Sequence, residues 1–287
     1  MKPTFESINI GNSSFLVRKF QEKRFAAPYH YHPEFELTLI LQGSGNRYVG
    51  TNMNDYFSGD LVLLGSNMPH CWKTIDSDSE EMSESVVIQF LADFMGKDFF
   101  YRPETKNILR LLNKSIHGIQ FTGDTSYCKK RMTELVSEKD ALKKLLLLLE
   151  ILQELASTNH FILLNSQSIY AGLPFAETER INAVFAYIVE NFQDKVTLQE
   201  AASAANMTPH AFCKYFKKIS RKTFIEAVID YRIDFAVKEL INTAKPIEQI
   251  GFESGFNDIS NFYKTFKERQ KTSPLNYRNS FIKKLEG

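Results

Sequence analysis

Hydrophobic and polar positions change their period along this chain. Up to about residue 100 the apolar residues fall in short runs, "SFLVRKF", "FELTLILQGSGNRYVG", "DYFSGDLVLLG" and "SVVIQFL", rich in β-branched and aromatic side chains. Gly43-Ser44-Gly45, Gly50, Ser58-Gly59 and Gly65 separate them. Short strands broken by glycine turns predict a small antiparallel barrel or sandwich. After Pro103 the spacing becomes helical in "PETKNILRLLNKSI", "TSYCKKRMTELVS" and "EKDALKKLLLLLEILQELAS". In the last of these Leu142, Leu145, Leu149 and Leu152 make one apolar stripe and Leu148, Ile151 and Leu155 another. A helix apolar on two faces must be covered on both. One face can rest on the strands; the other calls for a second helix, either from another subunit or from within the same domain. The polar stretch at 165–168 and Gly172-Leu173-Pro174 mark a linker over 161–176.

From Glu177 onward the pattern is all helix and contains one unit twice. "ETERINAVFAYIVENF" places Ile181, Val184, Phe185 and Ile188 on one face. "TLQEAASAANMTPHAFCKYFKK" then reads as a short Ala-rich helix capped by Thr197, a turn at Met207, and a second helix opened by Thr208-Pro209. "IEQIGFESGFNDISNFYKTFKE" repeats that order, with a turn at Ser254-Gly255 and a helix capped near Asp258. Phe212, Lys214, Phe216 and Lys217 recur 50 residues later as Phe262, Lys264, Phe266 and Lys267, while upstream the copies differ by one residue inserted at the turn. A long helix, "TFIEAVIDYRIDFAVKELINT", joins them, with Ile229, Ile233, Ala236, Val237 and Leu240 facing inward. Two short helices with a tight junction make a helix-turn-helix. Phe252, Phe256, Phe262 and Phe266 are expected in the core of the second copy, leaving Ser260, Asn261, Lys264 and Lys267 on its other side.

Composition adds an asymmetry. The 287 residues carry a formal net charge of only +1. Residues 1–176 hold 18 Lys and Arg against 20 Asp and Glu, whereas Thr208 to Lys284 hold 15 against 8. A basic second half suggests a polyanion-binding module joined to something else. Cys71, Cys128 and Cys213 form no CxxC pair, which fits buried thiols in a reducing compartment. The first residues lack the apolar core of a signal peptide, and "LLLLL" at Leu145–Leu149 is far too short to span a bilayer, so a cytoplasmic location is expected.

Within the strands, "YHYHPEFELTLILQG" sets His30, His32 and Glu36 at even positions, which share one face of a strand. His70 follows the next strand pair. Glu34 shares that parity, but a bulge at Pro33 would turn it away. The segment resembles the cupin superfamily: His30, His32, Glu36 and Gly43 match its first motif. Its second motif is half kept, by Gly59 and His70. Gly65 stands where proline is usual and Asn67 where glycine is usual. In metal-bearing cupins the positions of His30, His32, Glu36 and His70 hold a divalent ion, and three imidazoles with a carboxylate suit a first-row transition metal. Three readings stay open: a bound ion, a metal-free ligand pocket, and structural histidines. The second makes Arg18, His30, His32, Glu36, His70 and Trp72 the ligand contacts in a mostly apolar cavity, with no metal and no other cofactor.

The second half is similar to the DNA-binding region of the AraC/XylS family of bacterial transcription regulators. The resemblance covers about Glu177 to Lys284 and rests on "GFNDISNFYKTFK", "SPLNYR" and "YRIDFAVKEL". It implies a recognition helix in each of two adjacent major grooves. The base-facing candidates carried over are Thr208, His210, Ala211 and Lys214, then Asp258, Ser260, Asn261 and Lys264. Lys217, Lys267 and Arg278 would meet phosphates or brace the helix. Arg221 and Lys271 stand where the family usually has glycine, so these turns either change shape or carry a left-handed cost of about 1 kcal/mol. The architecture expected is α+β with two domains. A cupin-like ligand-sensing barrel over 1–160, with dimerisation helices at about 103–158, precedes the linker and a double helix-turn-helix domain over 177–287. The implied partners are operator DNA, a small-molecule effector for which a sugar is the family's usual expectation, a second copy through the Leu-rich helix 138–158, and RNA polymerase if the protein activates. No catalytic nucleophile pattern can be assembled, so an enzyme is not expected. The rival is a metal-dependent cupin enzyme with a helical tether.

Overall fold

The segment Phe35–Gln42 shows how the first half is assembled. Phe35, Leu37 and Leu39 are buried on one face in a cluster shared with three helices, and Glu36, Thr38 and Ile40 are buried on the other. Successive side chains of a strand point to opposite sides, so a strand buried on both faces lies between two layers. The computed structural model describes residues 4–50, 52–74, 82–165 and 175–285, and in it those layers are a second sheet and a helical layer.

The strands are β1 (Thr4–Phe5), β2 (Phe15–Glu22), β3 (His30–Tyr31), β4 (Phe35–Gln42), β5 (Gly45–Val49), β6 (Asn52–Tyr56), β7 (Leu61–Leu64), β8 (His70–Thr74), β9 (Ser83–Phe90), β10 (Ile119–Phe121) and β11 (Phe161–Leu163). One sheet has the order β1-β3-β8-β5-β6 and the other β11-β10-β7-β4-β9-β2. Every pairing is antiparallel except β1 with β3. The expected barrel does not close: among the described residues no ladder joins the two sheets. Outer strands of both sheets carry exposed polar side chains, Lys19 and Glu22 on β2 and Asn54 on β6, which discourages edge pairing. Gly45 lets the chain cross from β4 into β5. A Cβ there would sit 2.1 Å from the Lys73 carbonyl oxygen, so a side chain would break the β5–β8 ladder.

Helices α1 (Lys106–Lys114), α2 (Ser126–Ser137) and α3 (Ala141–Ser157) cover the outer face of the second sheet. Leu148, Ile151, Leu152 and Leu155 of α3 are buried there, while Leu142 and Leu146 are exposed, so Leu152 belongs to the inner stripe and not to that of Leu142. The linker also needs correcting at its start. Phe161–Leu163 pairs with β10 as β11, because "FIL" is a strand-forming triplet beside an unpaired edge. Chain contacts divide the molecule between Leu173 and Pro174; residues 166–174 of the expected linker lie outside the described residues.

The second unit comprises α4 (Phe175–Asn191), α5 (Leu198–Ala204), α6 (Pro209–Ser220), α7 (Phe224–Asn242), α8 (Ile247–Glu253), α9 (Ile259–Gln270) and α10 (Pro274–Leu285). Phe256, Phe262 and Phe266 are buried with Ile233, Ala236, Leu240 and Ile250 as expected. Phe252 is not: it is 54% exposed. Helix α8 has only two turns, and with Ile250 and Gly251 inward, residue 252 is rotated to the far side. Cys71 and Cys128 are buried, but Cys213 is exposed on α6, opposite the Phe212–Phe216 face. No helix among the described residues is long and apolar enough to cross a membrane.

Candidate functional site

The duplicated helix pair is reproduced bond by bond. In the first turn Ala205 N donates to Ala201 O (3.2 Å), Asn206 N to Ser203 O (3.0 Å) and Met207 N to Ala202 O (2.9 Å). In the second, Ser254 N donates to Ile250 O (2.9 Å), Gly255 N to Phe252 O (2.9 Å) and Phe256 N to Gly251 O (3.2 Å). The left-handed residue of the turn is Asn206 (φ 53°) in one copy and Gly255 (φ 87°) in the other. Asparagine is one of the few side-chain-bearing residues that visits this region readily. Both second helices end alike, on Arg221 and Lys271, each at φ 60°. The turns therefore keep the left-handed shape without glycine. The next helices start alike too: Glu226 N donates to Thr223 Oγ1 (3.2 Å) and Asn276 N to Ser273 Oγ (3.3 Å).

Ten of the eleven residues expected to face DNA are exposed: Thr208, His210, Ala211, Lys214 and Lys217 on or before α6, and Asp258, Ser260, Asn261, Lys264 and Lys267 on or before α9. Two of them already have local work as helix caps. Thr208 Oγ1 accepts from Ala211 N (3.4 Å), and the Asp258 carboxylate accepts from Ser260 N and Asn261 N (3.1 Å each). Arg278 is only half-exposed and acts as a brace: its Nε donates to Leu240 O (3.1 Å), an orphan carbonyl in the last turn of α7, and its Nη2 to Lys245 O (2.8 Å) in the loop that follows. Lys218 and Arg269, exposed in the last turns of α6 and α9, extend the basic surface beyond the residues chosen from sequence.

Between the two sheets lies a second candidate site. His30, His32, Glu36 and His70 each offer a ligand atom within 4.8 Å of the others. The sheets explain the meeting: His30 pairs in register with His70, and Glu36 faces them from β4. Glu36 is saturated, accepting from Thr38 Oγ1 (2.8 Å), Gln89 Nε2 (2.9 Å) and His32 Nε2 (3.0 Å). Gln89 is a cluster member that sequence reading missed; its signal was the one amide among apolar neighbours in "SVVIQF". Glu34 is not turned away, since its Oε2 lies 3.4 Å from His32 Nδ1 and it is buried. Burial alone would lower the His32 imidazole, but hydrogen bonds to Glu34 and Glu36 outweigh it and raise it to about 9. Burial and the neighbouring His70 lower His30 to about 4. Although burial opposes ionisation of Glu36, His70 and His32 hold its carboxyl well below the usual range.

Of these groups His30, Glu36 and His70 offer donors suited to a divalent ion, and His32 would join them on giving up the proton that Glu34 and Glu36 hold on it. His30 Nδ1 and His70 Nδ1 each lie against a backbone carbonyl, Pro28 O (2.8 Å) and Met68 O (2.7 Å), which turns their Nε2 atoms toward the Glu6 (3.2 Å) and Glu36 (3.4 Å) carboxylates. At that distance from Glu36 Oε1, His70 Nε2 is buried without a hydrogen-bond partner, whereas His32 Nδ1 faces the Glu34 carboxylate. The adjoining cavity, about 160 Å³, has Phe20, Phe25 and Trp72 as aromatic walls with Glu36, Thr38, Ser85 and Gln89 among its polar lining. Trp72 Nε1 is likewise a buried donor lacking an acceptor. Of the expected ligand contacts His30, Glu36 and Trp72 line the cavity, whereas Arg18, His32 and His70 do not; the Arg18 guanidinium lies 3.9 Å from Glu6, which does.

Comparison with known proteins bears on these sites. Residues 201–280 match the family described as a helix-turn-helix domain. The chain is 22% identical over 259 residues to YdeC of Bacillus subtilis (strain 168), described as an uncharacterized HTH-type transcriptional regulator, covering 88% of this chain and 86% of that one. It is 30% identical over 102 residues to AdaA of the same organism, described as a bifunctional transcriptional activator/DNA repair enzyme, covering 36% of this chain and 48% of AdaA. An apo variant of ToxT from Vibrio cholerae aligns over 93% of this chain and 97% of its own, with 17% identity and a TM-score of 0.38.

Proposed function

We infer that this chain is an AraC-type DNA-binding transcription regulator, whose duplicated helix-turn-helix reads a duplex and whose N-terminal cavity holds a small-molecule effector. The carrying observation is the repetition of one exposed, polar, basic helix face, on α6 and again on α9 with a 50-residue shift, inside a region of the helix-turn-helix family. Two equivalent faces on one rigid scaffold suit two half-sites of one duplex. Asn261 and Lys264 can read purine edges, and Lys217 and Lys267 suit phosphates. The full-length protein, incubated with a randomised duplex pool, should enrich a defined sequence. Lys214→Ala and Lys264→Ala should each weaken binding to that duplex about tenfold, in line with 1–3 kcal/mol for a lost base contact. Unchanged affinity in both variants would sink the assignment.

We place the effector in the cavity beside Trp72 because its indole N–H, on the cavity wall, is buried without an acceptor. A polyhydroxylated molecule such as a sugar offers both acceptors and donors to such a wall. Its binding regulates DNA affinity only through different affinity for two arrangements of the protein. The exposed Leu142 and Leu146 of α3 are the surface through which a second copy would dock, making a homodimer. An activator would also meet RNA polymerase, and the working compartment is the cytoplasm. A thermal-shift screen of the full chain against sugars, with Trp72→Ala as control, tests the effector.

The histidine cluster favours one second reading, a metal centre. An ion held by His30, His32, Glu36 and His70 would supply a positive anchor for a ligand oxygen, and with an added activity the chain would be a metal-dependent enzyme carrying a helical tether. Metal analysis of protein purified without added ions, repeated for His32→Ala, separates it. Stoichiometric metal whose loss left DNA binding and effector response intact would favour the enzyme.

A further inference from the structure

The two helix-turn-helix turns share a backbone but not their surroundings. Asn206 is exposed, whereas Gly255 is buried. A Cβ on Gly255 would lie 2.5 Å from the Phe192 carbonyl oxygen and 2.9 Å from Arg232 Nε and from the Gln193 carbonyl oxygen. These atoms belong to the end of α4 and the middle of α7, so the second copy's turn is pressed against the base of the first copy. Polar contacts secure the same junction. Gln193 Nε2 donates to Glu253 O (3.0 Å), and Arg232 Nε and Nη2 donate to Phe192 O (2.7 Å) and Asp194 O (2.9 Å). The Arg232 guanidinium also stands 5.8 Å from the Phe256 ring centre.

A second tie leaves α7 from nearly the opposite side. Residues two apart on a helix are rotated by about 200°, and Asp230 is two before Arg232. One Asp230 carboxylate oxygen accepts from Lys222 Nζ (2.6 Å), just after α6, while the other lies 3.3 Å from Arg269 Nε, in the last turn of α9. One carboxylate thus ties the junction that follows α6 to the last turn of α9.

We propose that the Gly255–Phe192 contact, Arg232 and the Asp230–Arg269 pair fix the separation of the two recognition helices, and so set the spacing of the DNA half-sites the protein accepts. This rests on the DNA-binding reading above. Helix α7 alone would join the copies but leave each free to swing at its ends. Contacts to Arg232 and Asp230, made from residues before and after α7 in the chain, grip that helix on two sides and remove that freedom. Binding of the second half-site then gains from a rigid effective concentration at one spacing and loses it at others.

The test uses the full chain and a duplex that the wild type selects from a randomised pool, together with versions carrying one, two or three extra base pairs between the protected half-sites and one version with a single half-site. Gly255→Asn is the decisive variant. Asparagine supports the left-handed turn, as Asn206 does in the other copy, yet puts a side chain where the Phe192 carbonyl sits. Insertions should weaken wild-type binding at least about tenfold. Gly255→Asn should bind the parent duplex roughly 5- to 20-fold more weakly, bind the single half-site unchanged, and lose less than about threefold on insertion. Asp230→Asn with Arg269→Gln, which leaves the turn untouched, should relax spacing in the same direction and keeps the idea testable if Gly255→Asn fails to fold. Wild-type discrimination among spacings in a folded Gly255→Asn chain or in the double variant overturns the proposal. Failure of the wild type to enrich any duplex overturns the DNA-binding reading and the proposal with it.

Discussion

The cavity between the sheets and the outer faces of α6 and α9 both collect polar side chains, but under opposite conditions. Around Glu36 each polar atom is buried, and each one's state depends on its neighbours: His32 is held charged by Glu34 and Glu36, and Glu36 is held ionised by His70 and His32. On α6 and α9 Lys214, Lys217, Lys264 and Lys267 stand in water, where surface charges interact weakly. Buried polar groups act as a unit; exposed ones act singly. The difference predicts large, non-additive effects of substitution in the first region and small, additive ones in the second.

The largest effect should come from Glu36→Ala. It removes the acceptor for Thr38, Gln89 and His32 together and leaves a buried imidazolium with Glu34 alone. Breaking a buried charged network this way costs about 3–5 kcal/mol, read as a drop in urea midpoint. The double variant with His32→Ala should lose much less than the two single losses combined. Additive losses would mean that the cluster is not one unit.

Asp234 on α7 lies between the two extremes. Burial, helped by Asp230, raises its carboxyl to about 7 from an ordinary 3.8. The folded state therefore holds this proton over a range where the unfolded chain has released it. Its contribution favours folding at low pH, declines as pH rises from about 4 through 7, and is flat above. Asp234→Asn should remove that decline and make the protein more stable at pH 8 by about 1–2 kcal/mol, solvent access to this half-buried group reducing the full value. An unaltered stability–pH curve would show that the carboxyl is better solvated than its place on α7 implies.

How far these regions could be read from sequence follows the range of the interactions that make them. The shared face of His30, His32 and Glu36 follows from the two-residue period of a strand, and the paired turns follow from repeated spacing; both are local. Gln89 was missed because its place beside Glu36 depends on β4–β9 register, which the sequence does not display. Whether the sheets close into a barrel is decided at strands far apart in the chain, and so was the fate of "FIL" at 161–163. Phe252 misled because a two-turn helix with apolar residues on both sides has no unique inner face. For Arg278 the sequence left phosphate and brace both open, and its bonds to the Leu240 and Lys245 carbonyls, over 30 residues away, are long-range contacts that decide for the brace. Glycine at 255 looked like a turn residue only; the neighbouring Phe192 carbonyl, more than 60 residues away, gives it a second reason.

The shared αL positions give the next effect. Arg221 and Lys271 hold φ 60° at the ends of α6 and α9, a conformation about 1 kcal/mol less favourable for a side-chain-bearing residue than for glycine. Arg221→Gly and Lys271→Gly should each stabilise the protein by about 0.5–1 kcal/mol, the glycine's extra unfolded-state freedom taking back part of the gain. Arg221 and Lys271 share no partner themselves, although their neighbours Lys222 and Arg269 both meet Asp230, so the double variant should fall within about 0.5 kcal/mol of the sum. A non-additive result would mean that the two modules sense each other's termini.

The smallest effect on the fold should be at Lys214 and Lys264. Neither substitution to alanine should move the thermal midpoint by more than the equivalent of about 0.5 kcal/mol, as for ordinary surface sites. Their meaning lies in the salt dependence of DNA binding. A lysine on a phosphate releases counterions, and its loss lowers the slope of log affinity against log salt by roughly one while weakening all sequences alike. A lysine on a base edge leaves the slope nearly unchanged and relaxes the preference at one position. Lys214 and Lys264 occupy the same place in their copies, so both should give the second pattern, each at its own half-site. Lys217 and Lys267, one turn further on, should give the first. If instead Lys214→Ala relaxes sequence preference and Lys264→Ala only lowers the salt slope, the copies have diverged in role: one would read the duplex while the other only holds it.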